Sequence, residues 1–260
     1  MPVIRPAVRR LVPVDLRARV HFRLVGTPGV SALFTRFDPA MRMTRVTRGT
    51  RLVIDGYPRS GNTYARAAFL YANGLDFPLS THRHSAQSVK EGLRRGIPVI
   101  VLVRDPRAAL ASGLQYEPGS TPRMAMNVYR SFYEGVLPRA DEVVIATFAE
   151  VTSDFGQVVR RCNARFGTDF VPYERTEEAE AQVVRMIDEG AKLAFNPEVL
   201  DRVTGRPSST RRSADEVLSE LTPAEQAMLA ELGRLYDAVI AEHDRQLEAE
   251  AGRRHGEVGT

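Results

Sequence analysis

A glycine-rich turn between a short apolar strand and a helix constrains the fold of this chain more than any other feature. The sequence predicts a buried strand at 52–55, a tight loop at 56–61 and a helix at 62–72 with apolar residues at helical spacing. In such a turn, successive backbone N–H groups and the positive end of the helix dipole can surround a phosphate. The turn therefore predicts both a strand–helix unit and an anion-binding loop.

Strand and helix patterns alternate after this turn. Further strands are predicted at 77–81, 97–103 and 142–147, and helices at 85–95, 106–115, 121–137 and 152–166, the last with its N-cap at Thr152 or Ser153. After residue 171 only helical stretches remain, at 177–193 and 222–250. This order predicts an α/β fold with a central parallel sheet flanked by helices and a helical C-terminal part. We divide the chain into a basic N-terminal segment, 1–50, and one domain, 51–260.

Charge is distributed unevenly along the chain. The net charge is +4, yet residues 1–51 hold eleven Arg against only Asp15 and Asp38. A segment of this kind can attract an anionic partner, so peripheral contact with a membrane surface is one candidate role, whereas we expect no nucleic acid. The apolar run at 97–103 is too short for a membrane span, and a single cysteine, Cys162, excludes an internal disulfide. These features favour a cytoplasmic protein.

The loop itself argues against hydrolysis of a nucleoside triphosphate. Gly56 and Gly61 have the spacing of the GxxxxGK[ST] loop, but Asn62 replaces the lysine that would reach a γ-phosphate. Arg59 places a fixed positive charge in the loop instead. A second anion-binding element is predicted at 104–112 (RDPRAALAS), where Pro106 begins a helix at the carboxyl end of a buried strand. Arg107 in that segment is a further candidate.

Both elements resemble signatures of one family. PRSGNTY resembles the PKSGTTW or PRSGTT loop of sulfotransferases that use 3′-phosphoadenosine 5′-phosphosulfate (PAPS), and RDPRAALAS is similar to their RxPxxxxxS motif. A third stretch, 143–167, resembles the family's strand, acidic turn and helix ending in Phe-Gly. The resemblance covers about residues 51–170 and implies a P-loop-like sulfotransferase architecture.

The resemblance also implies roles for individual residues. Arg59 would neutralise the bridging oxygen of the donor, and Tyr64 stands where the family often stacks an aromatic ring on adenine. Two groups of residues would bind the donor's phosphates: Ser60, Gly61, Asn62 and Thr63 the 5′-phosphate, and Arg104 and Ser112 the 3′-phosphate. Asn62 and Tyr64 depart from the commoner Thr and Trp. A late basic loop holding Arg206 and Arg211 is similar in position and charge to the family's RKG-type loop over the 3′-phosphate.

The family's general base lies in a KTHLP-like corner between the two donor motifs. Here the corresponding segment is STHRHS, with His82 and His84. Alignment on the preceding threonine favours His82, and alignment on the following helix favours His84. We favour His84 because the geometry at the helix start matters more to a base.

We therefore predict transfer of a sulfuryl group from PAPS to an acceptor hydroxyl. The acceptor would be a small molecule, a glycan or a lipid. The reaction requires no metal if arginines supply the positive charge. Two alternatives are a P-loop-like nucleotide or small-molecule kinase and a non-catalytic polyanion-binding protein.

Overall fold

Four parallel strands form the centre of the molecule. The computed structural model describes residues 45–116, 120–194 and 212–257. The strands are β1 (Leu52–Gly56), β2 (Leu79–Thr81), β3 (Val99–Val103) and β4 (Val144–Thr147), in the order β2-β1-β3-β4. The chain moves from β1 to β2 on one side and then returns to β3 on the other side of β1. The sheet thus has its topological switch point between β1 and β3, where open α/β sheets bind ligands.

Helices cover both faces of the sheet. In chain order they are α1 (Asn62–Asn73), α2 (Ala86–Arg94), α3 (Pro106–Tyr116), α4 (Pro122–Val136), a 3₁₀ helix (Leu137–Glu142), α5 (Phe148–Ser153), α6 (Phe155–Phe166), α7 (Glu177–Ala194), α8 (Ala214–Leu218) and α9 (Pro223–Glu257). After β4 all described elements are helical. The predicted α/β fold, with a central parallel sheet and a helical C-terminal part, is confirmed.

The strands are buried on both faces, which explains their nearly continuous apolar sequences. All five residues of β3 are buried, and their side chains alternate between two clusters. Val99, Val101 and Val103 pack with α4 residues such as Phe132. Ile100 and Leu102 pack on the opposite face with α1 and α6 residues such as Phe69 and Phe155. Full burial of each aliphatic side chain contributes about 1.5–3 kcal/mol, so the strands are anchored from both sides.

The predicted helix at 152–166 was wrong at its start. A short helix, α5, begins directly after β4, and α6 follows with Asp154 as its N-cap instead of Thr152 or Ser153. Thr147 and Glu150 form a capping box that starts α5, and the Asp154 side chain accepts a hydrogen bond of 3.0 Å from the Gln157 backbone N–H. Asp154 has φ −147° and ψ 73°, which interrupts the helical path between the two helices.

The division of the chain at residue 51 remains a prediction. Val46 lies before that position and is buried in the core cluster on the α4 face, whereas residues 1–44 lie outside the described ranges. Within the described ranges, no helix combines the length and apolar composition that crossing a membrane requires.

Candidate active site

The loop after β1 is held in a conformation that glycine makes accessible. A Cβ atom at Gly56 would lie 2.4 Å from the carbonyl oxygen of Leu102, so β1 and β3 approach each other too closely there for any other residue. Gly61, the N-cap of α1, has φ 92°. Inside the loop, Asn62 donates from Nδ2 to the Tyr57 carbonyl at 2.9 Å. The predicted anion-binding loop is therefore a tight, internally bonded turn at the switch point of the sheet.

The two predicted donor-binding elements meet at this point. Arg59 donates from Nε to Ser112 Oγ at 2.9 Å, and Arg104 donates from Nη1 to the Arg59 carbonyl at 2.9 Å. Three of the residues predicted from two separate motifs thus form one continuous, partly buried contact. Because guanidinium groups bind phosphate and sulfate oxygens well, this cluster is suited to an anion with more than one charged group.

Helix α5 lies against the same cluster, and the sequence pattern did not predict this. The Phe148 ring lies 4.0 Å from the Arg104 guanidinium carbon, in a cation–π arrangement. A Cβ atom at Gly61 would lie 3.0 Å from Val151 Cγ1, so α5 also packs under the loop. The only sequence signal was the Thr147 and Glu150 capping-box spacing at the end of β4.

Left-handed backbone conformations are concentrated at this site. Among the described residues, the three non-glycine residues with positive φ are Arg59 (69°), His82 (59°) and His84 (52°). Such conformations cost about 1–3 kcal/mol each and persist only where surrounding contacts hold them. All three positions had been predicted as site residues from sequence.

His84 is oriented by the end of β1. Its Nδ1 atom lies 2.7 Å from the Gly56 carbonyl oxygen, and its backbone N–H donates to Asp55 Oδ1 at 3.1 Å. Because a carbonyl oxygen can only accept, Nδ1 carries the proton in this contact. In neutral His84 the other nitrogen, Nε2, is therefore the one that can take up a proton. This geometry suits a general base.

His82 is engaged through both ring nitrogens. Nε2 lies 3.2 Å from Thr63 Oγ1 and Nδ1 lies 3.0 Å from Thr81 Oγ1. Burial, together with the nearby charges of His84 and Arg66, lowers the pKa of His82 to about 3. The ring is neutral at physiological pH and is a weak base. The two histidine rings lie 5.6 Å apart, so both belong to one site.

Asp55 is a component of the site that the sequence analysis did not single out. It is fully buried and accepts from the backbone N–H groups of Gly56 (3.0 Å) and His84 (3.1 Å) and from Ser88 Oγ (2.6 Å). Burial raises the pKa of this carboxyl, and the charge of His84 and these hydrogen bonds oppose the rise. The available signal was an acidic residue in an otherwise apolar strand, LVIDG.

Ser60 and Tyr64 both make hydrogen bonds within the protein, Ser60 through its backbone and Tyr64 through its hydroxyl. Ser60 is fully buried, and its backbone N–H donates to the Tyr57 carbonyl at 3.2 Å. The Tyr64 hydroxyl donates to Glu180 Oε2 at 2.5 Å, which ties α1 to α7. Burial and this hydrogen bond raise the pKa of Tyr64. The roles of Ser60 at the 5′-phosphate and of Tyr64 at adenine stay predictions.

Three further candidate residues are Arg206, Arg211 and Arg107. Arg206 and Arg211 fall outside the described residues. Arg107 donates to Asp215 on α8 at 2.9 Å in an exposed ion pair. A cavity of about 500 Å³ opens beside this pair, between the start of α3 and helices α8 and α9. Of the candidate residues, the described lining of that cavity contains Arg107 but neither histidine, nor Arg59, Arg104 or Ser112.

Among three comparisons with known proteins, only the comparison with solved structures found a match. No protein-family model matches the chain, and no curated protein matches it. Among solved structures, the chain is similar to mouse sulfotransferase SULT7A1 complexed with PAP. The similarity has a TM-score of 0.43 and 14% identity, and it covers 72% of this chain and 84% of that chain. At this level no residue role is carried over from that protein.

Proposed function

We propose that the protein transfers a sulfuryl group from PAPS to an acceptor hydroxyl. The observation that supports this most is the contact of Arg59 with Ser112 and Arg104, which joins two motifs at the carboxyl edge of the sheet. His84 contacts Gly56 at the same edge. A donor with phosphates at both the 5′ and 3′ positions requires two anion-binding elements. This edge of the sheet brings two such elements together.

Each element has a defined part in the proposal. The loop from Arg59 to Thr63 binds the 5′-phosphosulfate end, and Arg104 and Ser112 bind the 3′-phosphate. Arg59 connects the loop to the second element, because its side chain donates to Ser112 and its carbonyl accepts a hydrogen bond from Arg104. Its charge would stabilise the bridging oxygen as negative charge develops there during transfer.

In the proposed reaction the acceptor oxygen attacks sulfur in line with the leaving group. A new bond forms between the acceptor oxygen and sulfur, and the bond between sulfur and the bridging oxygen of the 5′-phosphate breaks. The acceptor proton goes to Nε2 of His84, and adenosine 3′,5′-bisphosphate leaves with the bonding electron pair. The bond from Nδ1 to the Gly56 carbonyl keeps Nε2 as the accepting nitrogen throughout.

The kinase alternative has weaker support from the loop. Asn62 occupies the position of the P-loop lysine, and its side chain donates to the Tyr57 carbonyl instead of reaching outward. The polyanion-binding alternative depends on the basic N-terminal segment, 1–50, of which residues 1–44 lie outside the described ranges. The oriented, partly exposed His84 ring and the buried Asp55 carboxylate at the sheet edge favour an enzyme over simple charge attraction.

One experiment separates the three functions. The full chain is incubated with ³⁵S-labelled PAPS or with γ-³²P-labelled ATP and a panel of phenolic, glycan and lipid hydroxyl acceptors. Transfer of ³⁵S to an acceptor supports the proposal, and transfer of ³²P supports a kinase. Transfer of neither label, with salt-sensitive binding to heparin and no binding of adenosine 3′,5′-bisphosphate, would favour the polyanion-binding protein.

A further inference from the structure

The buried carboxylate of Asp55 lies directly behind the candidate base. It sits at the end of β1 with no exposed surface, and three donors surround it: the N–H groups of Gly56 and His84 and the hydroxyl of Ser88 on α2. A fully buried carboxyl is costly to ionise, and a strand could hold an apolar residue at this position instead. Its presence needs a reason beyond packing.

The geometry relates the carboxylate to both the backbone and the ring of His84. Asp55 Oδ1 accepts from the His84 N–H at 3.1 Å and lies 3.7 Å from His84 Nδ1. The first contact holds a residue whose φ of 52° is in the left-handed region. The second places the carboxyl group beside the ring, while a hydrogen bond of 2.7 Å from Nδ1 to the Gly56 carbonyl fixes the ring's direction.

We propose that Asp55 is a positioning residue for His84, which holds its backbone in the left-handed conformation and stabilises the imidazolium that forms when Nε2 takes a proton. The inference rests on the proposed function, because it assigns His84 a proton to accept. The electrostatic part rests on the distance of 3.7 Å between Asp55 Oδ1 and His84 Nδ1, because an ionised carboxylate this close stabilises an imidazolium. The same interaction lowers the pKa of Asp55.

Other groups near Asp55 and His84 also interact with this pair. The His82 ring lies 5.6 Å from that of His84, and His84 helps to lower the pKa of His82. The charge of Asp55 acts on Arg83, between the two histidines, and on the Tyr133 hydroxyl of α4. Ser88 contacts the carboxylate from α2. A change at Asp55 is expected to act on His84 most directly, because the carboxylate contacts both its ring and its backbone.

The test compares Asp55→Asn with Ser88→Ala. The amide of Asp55→Asn can still accept the two backbone N–H bonds but carries no charge, whereas Ser88→Ala keeps the charge and removes one hydrogen bond. The readout is an NMR titration of the ¹⁵N-labelled His84 ring, assigned with His84→Ala. We expect the pH midpoint of His84 to be lower in Asp55→Asn than in the wild type, and to move much less in Ser88→Ala. An unchanged midpoint in folded Asp55→Asn would overturn the proposal.

A reciprocal measurement covers the case in which Asp55→Asn does not fold. In His84→Ala, a ¹³C carboxyl titration should show the pKa of Asp55 higher than in the wild type, because the opposing charge is gone. An unchanged Asp55 titration overturns the coupling. Neither titration requires turnover.

Calorimetry of the wild type with adenosine 3′,5′-bisphosphate is run alongside. Failure to bind there would count against the proposed function, while the two titrations still decide whether Asp55 and His84 are coupled.

Discussion

Arg59 donates a hydrogen bond of 2.9 Å from Nε to the Oγ atom of Ser112, although the two residues are 53 positions apart in the chain. One lies in the loop after β1 and the other on α3 after β3, so the contact spans the switch point of the sheet. It orients the Arg59 guanidinium and the Ser112 hydroxyl together. A ligand that needs both groups would therefore find them arranged before it binds.

Arg104 and Arg107 should differ sharply in their effect on donor binding. Arg104 contacts the loop carbonyl of Arg59, whereas Arg107 pairs with Asp215 on the surface. Arg104→Ala should weaken binding of adenosine 3′,5′-bisphosphate by roughly 10- to 100-fold, the value of a charge-assisted hydrogen bond, and should affect AMP much less. Calorimetry measures both nucleotides, with Arg107→Ala as the matched control. Equal losses for the two nucleotides would contradict the 3′-phosphate assignment.

His84 and His82 should separate catalysis from donor binding. We expect His84→Ala to reduce sulfate transfer by roughly 100- to 10,000-fold while adenosine 3′,5′-bisphosphate binds normally, because the loss of a general base affects turnover alone. His82→Ala is the control, since its ring is neutral and bonded to Thr63 and Thr81. If His82→Ala is inactive and His84→Ala is active, the two roles are exchanged. Activity in both variants would mean that the base is not a histidine.

Tyr64 allows stacking to be distinguished from structural support. Tyr64→Phe keeps the ring and removes the 2.5 Å hydrogen bond to Glu180, whereas Tyr64→Ala removes both. If the ring stacks on adenine, Tyr64→Phe should retain affinity for adenosine 3′,5′-bisphosphate, and Tyr64→Ala should lose roughly 1–3 kcal/mol of binding free energy. A purely structural tyrosine would instead lower the melting temperature of both variants and leave the affinity of the folded protein unchanged. Calorimetry and thermal unfolding measure the two effects separately.

His243 on α9 should stabilise the fold in a pH-dependent way. Burial acts to lower the pKa of His243, but the hydrogen bond of 2.9 Å and the charge of Glu150 outweigh it and raise that pKa above its usual value. Because the pKa of His243 is higher in the folded state than in the unfolded chain, protonated His243 contributes its full stabilisation below about pH 6.5. This contribution to the free energy of unfolding is lost as the pH rises through the folded-state pKa.

His243→Gln should therefore reduce the free energy of unfolding by roughly 1.5–3 kcal/mol near pH 6, the range for a hydrogen bond to a charged group, and by less at pH 9. Urea unfolding at the two pH values measures the difference. Arg245→Gln is the control, because Arg245 is an exposed neighbour on the same helix paired with Glu242. A loss in His243→Gln that does not change with pH would show that only packing is involved.

Substitution by alanine should change the free energy of unfolding in opposite directions at two glycines. Gly56→Ala places a methyl group 2.4 Å from the Leu102 carbonyl oxygen, so β1 and β3 must separate; we expect a loss of at least about 2 kcal/mol of unfolding free energy. Gly190→Ala adds a methyl group in open space on α7 and should gain up to about 1 kcal/mol from helix propensity. Chemical unfolding of both variants tests the pair. Equal effects would contradict the close approach at Gly56.

The order of strands and helices and the place of the tight loop after β1 can be predicted from the sequence alone. These features depend on local patterns: the apolar run of β3, the glycines that flank Arg59, and the helical spacing after Asn62. A helix or strand pattern is repeated over neighbouring residues, so a single chain displays it. The start of α6 was the exception, because two cap signals, at Thr147 and Asp154, competed within a few residues.

Which side chains meet depends on the tertiary fold and could not be predicted from local patterns. The contact of Arg59 with Ser112, the placement of Asp55 behind His84, and the bond from Tyr64 to Glu180 each join residues far apart in the chain. Such contacts depend on strand order and on the direction in which each side chain leaves the backbone. Neither the strand order nor the direction of a side chain leaves a periodic signal in the sequence. For the same reason the two histidines of STHRHS could be separated only by their partners: Gly56 and Asp55 for His84, and two threonines for His82.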